Sequence, residues 1–274
     1  MAENTIASTT PASGESIIEV KNLTVGYGSN IILKDLNFSV QRGEIFVILG
    51  GSGCGKSSLL KNMIGLYDPP IGDVFIEGQN IVTAEGSERQ EILTRFGVMY
   101  QQGALFGSMN LLENVRLFLE EYTNLTADEM SLISRCKLDL VGLLPFESFM
   151  PSEISGGMQK RAAIARAMAL DPDILFLDEP SAGLDPITSA ELDQTIMSIS
   201  RNLGITFVVV THELPSIYTI ADRVIMLDKE TKGIIAEGKP QWLRDHSDIP
   251  LVRQFFKRDA HATATASESH PSAH

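Results

Sequence analysis

The segment "EIFVILGGSGCGKSSLLKNMIGL", residues 44–66, decides the fold. Its first part, "EIFVILG" (44–50), is a continuous apolar run of strand length. That is the pattern of a strand buried on both faces of a parallel sheet. Glycine punctuation follows, and then "SLLKNMIGL" reads as a helix. Between them, "GGSGCGKSS" (50–58) fits G-x-x-x-x-G-K-[ST] through Gly50, Gly55, Lys56 and Ser57. A strand, a glycine loop and a helix in that order form a phosphate cradle. The glycines let backbone N–H groups along Gly50, Gly51, Ser52, Gly53, Cys54, Gly55 and on to Ser58 wrap the anion. Lys56 is expected to reach the β- and γ-phosphates and Ser57 to ligate Mg²⁺. Cys54 is read as a small residue whose backbone matters, with a reactive thiol as the lesser alternative.

Working outward, strand and helix signals alternate. "IIEVKNLTVGYG" and "IILKDLNFSV" are β-rich runs split by a turn, and "GDVFIEGQNI" and "RFGVMYQ" read as further strands. From about 108 to 155 the pattern turns helical, with Thr126 placed to cap the second helix. "DILFLDEP" (173–180) and "ITFVVVTHE" (205–213) are two more buried strands flanking a helix around 187–202, and "RVIMLD" and "KGIIAEG" close the series. Buried strands alternating with helices predict an α/β parallel-sheet core, interrupted by an inserted all-helical subdomain. The expected boundaries are 17–257 for the domain, about 103–155 for the insert, and small-polar disordered arms at 1–16 and 258–274. His261, His270 and His274 fall in the second arm at irregular spacing and are read as solvated residues rather than metal ligands.

The carboxyl ends of parallel strands are where such sheets bind ligands. "ILFLDEP" ends in Asp178 and Glu179, and successive strand side chains point opposite ways, so the two acids are assigned different tasks. Asp178 holds the Mg²⁺ shell, and Glu179 orients and polarises the attacking water. "VVVTHE" is read as a strand ending at His212, close enough to contact a γ-phosphate. Gln101, after "RFGVMY", is an uncharged metal or water ligand by the same edge argument. A second cradle opens the helix in "EISGGMQKRAAIARAMAL" (153–170). Ser155 is a good N-cap, while Gly156 and Gly157 are poor helix formers that expose backbone N–H groups suited to an anion.

The bulk properties narrow the partners. The chain has 274 residues, 43% hydrophobic and 21% charged, with a formal net charge of −13. The acidity and the lack of a long basic block argue against nucleic acid. No window approaches the roughly 18 apolar residues of a membrane span. The N-terminus lacks the pattern of an export signal. Two cysteines, Cys54 and Cys136, make no disulfide framework and fit a reducing compartment.

Together the motifs "GGSGCGKSS", "YQQGALF", "ISGGMQKR", "ILFLDEP" and "VTHE", in that order, resemble the nucleotide-binding subunits of ABC transporters, over nearly all of 17–257. The resemblance implies a P-loop NTPase core with an N-terminal antiparallel β-subdomain, ATP and Mg²⁺ as ligands, and a second copy as partner. In that family two subunits stack head to tail, so Ser155, Gly156 and Gly157 are expected at the γ-phosphate bound by the other chain. Tyr27 in "VGYG" would stack on adenine, Gln101 would sense the nucleotide and move the helical subdomain, and Asp185 in "SAGLD" would cross the dimer. Ile154 stands where leucine is usual and Tyr100 where phenylalanine is usual, and both keep apolar bulk.

Within the family, "QQGALFGSMNLLENV", "SGGMQKRAAIARAMALDPDILFLDEPSAGLDPITSAELD" and "SDIPLVRQFF" look like the MCE-associated, Mla-type ATPases. That subgroup energises phospholipid or other lipid movement. It implies an integral membrane permease, an MCE-domain lipid-binding protein and a small STAS-like protein as partners, at the cytoplasmic face of the inner membrane. The competing expectations are a polar-solute importer subunit, a soluble ABC ATPase acting on ribosomes or DNA, and another phosphate-loop enzyme such as a small-molecule kinase. One acidic cassette argues against the third of these four readings, and "SGGMQKR" against the last.

Overall fold

Every strand-like run of the sequence folds into one of two sheets. The computed structural model describes residues 14–28 and 30–264. β1 (Ser16–Tyr27) and β2 (Asn30–Gln41) pair antiparallel, and β1 pairs antiparallel with β4 (Ile71–Ile76), which carries the short β5 (Gln79–Asn80). The second sheet contains β3 (Ile45–Gly50), β6 (Phe96–Met99), β7 (Ile174–Asp178), β8 (Thr206–Val210), β9 (Arg223–Asp228) and β10 (Gly233–Gly238). Its order is β10-β9-β3-β8-β7-β6, parallel throughout except for the β10 edge.

The central strands are apolar on both sides because both faces are covered. Ile45, Val47 and Leu49 of β3 join a core with Leu175 and Leu177 of β7 and Phe207 and Val209 of β8. The alternate residues Phe46, Ile48, Ile174, Phe176, Val208 and Val210 join a second core under the antiparallel sheet. Each fully buried Leu, Ile or Phe contributes roughly 1.5–3 kcal/mol. The first face is covered by α3 (Leu111–Tyr122), α4 (Ala127–Leu140), α5 (Gly156–Ala167) and α6 (Pro186–Leu203). The second takes α1 (Lys56–Met63) through Leu59, Leu60 and Met63, and α2 (Gly86–Thr94) through Ile92.

α3, α4 and two 3-10 turns at Leu144–Phe146 and Pro151–Glu153 lie between β6 and α5, where the helical insert was expected. Capping boxes start both helices, Asn110 with Glu113 and Thr126 with Glu129. The remaining helices, α7 (Leu214–Ile220), α8 (Pro240–His246) and α9 (Pro250–Ala264), follow β8 and β10.

Three expectations need correction. β8 ends at Val210, so His212 lies two residues beyond the strand, after Thr211 N has made a last 3.3 Å bond to Ile48 O. Glu179 does not continue β7: its φ of 48° is left-handed, so the turn at that residue separates the two acids, not strand alternation. α9 runs to Ala264, so residues 258–264 are helical rather than part of a disordered arm. Packed Val252 and Phe256 anchor the helix. The rest of that arm, with His270 and His274, and residues 1–13 lie outside the described residues.

Candidate active site

The loop from β3 to α1 is built around a helix start without a side-chain cap. Gly55 stands at the N-cap of α1 with φ 106°, and no side chain accepts from the first amides of the helix. A Cβ there would lie 2.7 Å from Ile32 Cγ2, so glycine is the residue that fits. Bare amides at a helix N-terminus attract an anion. Lys56, 8% exposed, donates to Gly50 O at 3.0 Å and Gly51 O at 3.4 Å, which holds its ammonium against the loop.

The sheet order brings the other motifs to this loop. β8 separates β3 from β7, and β6 borders β7, so residues following these strands share one edge. Ser57 Oγ donates to Asp178 Oδ1 at 3.0 Å. Burial pushes the Asp178 carboxyl above its usual range, the Ser57 bond opposes this, and neighbouring Glu179 adds to it. The Glu179 carboxylate lies 2.9 Å from His212 Nδ1 through both oxygens and 4.0 Å from Lys56 Nζ. A buried acid is thus held between a loop cation and an exposed imidazole.

These groups, apart from Asp178, which lies behind Ser57, line a groove of about 930 Å³, within the roughly 300–1,000 Å³ of small-ligand sites. Gly50–Gly53, Gly55–Ser58, Gln101, Glu179 and His212 form its wall. The sequence reading missed Asn30, Ile31, Ile32, Leu214, Lys229, Lys232 and Phe255. Lys229 and Lys232 follow β9, which is parallel to β3, so the same edge rule would have found them. Lys232 Nζ donates to Ile31 O at 2.8 Å and ties the β9–β10 turn to the antiparallel sheet.

Several candidates lie apart from that wall. Tyr27, half exposed, meets Tyr67 edge-on at 5.6 Å, with its hydroxyl 3.3 Å from Ser58 Oγ. Cys54 is buried beside a smaller cavity under α9, and burial pushes its thiol pKa up, as in an inert thiol. Asp185 caps α6, accepting from Ile187 N at 3.0 Å and Thr188 N at 3.1 Å. Ser155 caps α5, accepting from Met158 N at 3.3 Å, and with Gly156 it is exposed. Gly157 is buried against α6, where a Cβ would lie 2.2 Å from Thr188 Cγ2. None of Ser155, Gly156 and Gly157 lines the groove of its own chain.

Ser57, Asp178 and Gln101 offer hard oxygen donors. Mg²⁺ takes one or two carboxylate or hydroxyl ligands and completes its shell from phosphates and water, so this donor set fits it. Among the described residues no group of three or more His, Cys, Asp or Glu could hold a metal alone. One carboxylate, one hydroxyl and one amide oxygen suit a cation shared with a phosphate substrate.

The comparisons agree with this geometry. A sequence model of the ABC transporter family matches residues 33–182. The chain is 45% identical over 239 residues to the probable ribonucleotide transport ATP-binding protein mkl of Mycobacterium leprae, covering 87% of this chain and 68% of that one. It is 38% identical over 246 residues to the intermembrane phospholipid transport system ATP-binding protein MlaF of Haemophilus influenzae, covering 90% and 92%. The Escherichia coli MlaF is 39% identical over 242 residues, covering 88% of each chain. Among solved structures, cbiO1 of Clostridium perfringens, part of the ABC transporter complex cbiONQ, superposes with a TM-score of 0.78 at 27% identity over 92% of this chain and 99% of that one. The dimeric ATP-binding cassette MJ0796 bound to ADP and Pi superposes with a TM-score of 0.71 at 31% identity over 81% and 98%. No helix among the described residues is long and apolar enough to cross a membrane. The chain belongs to the ABC transporter family, as one of its ATP-binding and ATP-hydrolysing cassettes.

Proposed function

We propose that two copies of this chain pair head to tail around two ATP molecules and drive phospholipid or other lipid movement by a separate permease of the MCE-associated type. The observation that carries the lipid reading is the near end-to-end match to the phospholipid-transport relative, which covers 92% of that chain. The dimeric cassette bound to ADP and Pi supports the pairing.

In this reading, the amides of residues 50–58 and Lys56 hold the triphosphate, and Tyr27 stacks on adenine. Ser57, Asp178 and Gln101 would hold Mg²⁺, which neutralises charge on the β- and γ-phosphates when bound. Glu179 accepts a proton from water as the water oxygen bonds to the γ-phosphorus and the bridging bond breaks, releasing ADP and phosphate. The Glu179–His212 contact orients the acid, and turning His212 to the γ-phosphate frees it for the water. Ser155, Gly156 and Gly157 of the partner, with Asp185 near the dimer interface, complete the site across the two chains. Closing on ATP and opening after phosphate loss does work on the permease because ATP and its products favour different states. The chain would then act at the cytoplasmic face of the inner membrane, with an MCE-domain lipid-binding protein and a STAS-like protein as further partners.

The 45% identity to the protein named for ribonucleotide transport favours a second reading, a polar-solute importer. Purifying this chain with its membrane partners from native membranes, and identifying the permease and bound lipid by mass spectrometry, separates the two. A permease carrying glycerophospholipid supports the first reading. A lipid-free permease whose ATPase responds to ribonucleotide overturns it.

A further inference from the structure

Tyr27 lies outside the groove wall but touches it from two sides. It pairs with Asn30 across the β1–β2 ladder, and its hydroxyl is 3.3 Å from Ser58 Oγ; both partners line the groove. Its side chain stays 47% exposed. Its neighbours in the chain, Gly26 and Gly28, have no side chains to hold the ring. Tyr67 meets it instead, with the ring planes at 85° and the centroids 5.6 Å apart, an edge-to-face pair. Such a pair occupies at most one face of Tyr27. At this distance the two rings touch, so a base stacks on the remaining face of Tyr27 and does not enter between them.

Tyr67 is held by the turn that ends α1. Leu66 N and Tyr67 N both donate to Lys61 O, at 2.8 and 3.3 Å, and Arg89 of α2 donates to Gly65 O in the same turn. Pro69 and Pro70 fix φ just beyond it. The Lys61 ammonium stands over the Tyr67 ring, 5.7 Å from its centroid, where the ring's negative face attracts it. Tyr67 is 43% exposed, so burial in a core does not account for an aromatic ring fixed in this way.

We propose that Tyr67 is a positioning residue for the adenine of ATP. From the end of α1 it sets the orientation of the Tyr27 ring, and so how well the base stacks, without touching the base itself. α1 opens at the phosphate loop and closes at the turn carrying Tyr67, so one helix fixes the phosphate end and the base end of the site relative to each other. This deepens the proposed function and rests on its reading of Tyr27 as the residue that stacks on adenine.

The test measures binding of ATP and of inorganic tripolyphosphate by titration calorimetry in full-length Tyr67→Ala, Tyr67→Phe, Tyr27→Ala and the Tyr27→Ala/Tyr67→Ala double variant. Tyr67→Ala should weaken ATP binding about threefold to tenfold, the worth of one aromatic pair. Tripolyphosphate binding should stay at the wild-type value, because the phosphate loop is untouched. Tyr67→Phe keeps the ring and should restore ATP affinity. The double variant should bind ATP no more weakly than Tyr27→Ala, since without Tyr27 there is no ring left to position. Wild-type ATP affinity in Tyr67→Ala, with a loss in Tyr27→Ala, overturns the proposal. So does an additive loss in the double variant, or an equal loss of tripolyphosphate binding in Tyr67→Ala. Unchanged ATP affinity in Tyr27→Ala overturns the reading of Tyr27 instead, so the two failures are distinguishable.

Discussion

Replacing Asp193 with asparagine removes a buried charge that the fold carries at a cost. Asp193 lies on α6, 4% exposed, and burial raises its carboxyl from 3.8 to about 6 against the pull of a hydrogen bond from Ser216 on α7. A carboxyl whose folded pKa lies above its unfolded value favours folding when protonated. Its penalty is absent below about pH 3.8, grows as pH rises and is complete above about pH 6. At about 1.36 kcal/mol per pH unit, the interval from 3.8 to about 6 is worth about 3 kcal/mol. Asparagine keeps an acceptor for Ser216 and carries no charge. Asp193→Asn should therefore gain about 3 kcal/mol at pH 8 and about half of that at pH 5, read by urea unfolding at both values. In melting temperature the gain at pH 8 corresponds to roughly 6–12 °C for a domain of this size. An equal gain at both pH values would mean packing, not charge, is responsible. A loss at pH 8 would mean that a further partner stabilises the ionised carboxylate. α7 begins two residues after His212, so the same element that carries Ser216 also fixes the histidine's place in the groove.

Glu179→Gln should bind ATP, hydrolyse it on the order of 10²–10⁴-fold more slowly, and accumulate a nucleotide-dependent dimer on size exclusion; normal turnover would refute the base assignment. Gly157→Ala should destabilise the chain by about 1–3 kcal/mol, because the added methyl meets Thr188 Cγ2 at 2.2 Å. Thr188→Ser deletes that methyl and keeps the hydroxyl that bonds Asp185, so the double variant should recover its melting temperature. No recovery would refute the clash. Ser57→Ala should raise the Mg²⁺ concentration needed for hydrolysis while Mg²⁺-free nucleotide binding, measured by titration calorimetry, stays close to wild type. An unchanged Mg²⁺ requirement would remove Ser57 from the donor set.

The core of the fold was legible because β3, β7, β8 and β9 carry continuous apolar runs buried on both faces. The phosphate loop was legible because its glycines and lysine are local in sequence. His212 was assigned to a strand end because "VVVTHE" carries no breaker, although the ladder stops at Val210. Glu179 was assigned by alternation, which a single left-handed residue defeats. α2 has only Ile92 buried, and α7 and α8 are seven residues each, so periodicity had little to register. On α5, Lys160 donates to Gln101 O and Arg166 to Gly103 O and Ala104 O, tertiary contacts that leave no local pattern in the sequence. Asp185 and Gly157 have structural work within one chain as well as proposed roles across two, which sequence alone does not separate.

The central claim is that each reaction centre needs two chains, the phosphate loop of one and the Ser155–Gly157 helix start of the other. Mixing Lys56→Ala chains with Ser155→Arg chains, each inactive alone, tests it most directly. A mixed dimer pairs the intact loop of the Ser155→Arg chain with the intact helix start of the Lys56→Ala chain. The expected ATPase is roughly a quarter of wild type, since half of randomly paired dimers are mixed and each holds one intact site of two. A mixture no more active than its components would contradict the claim.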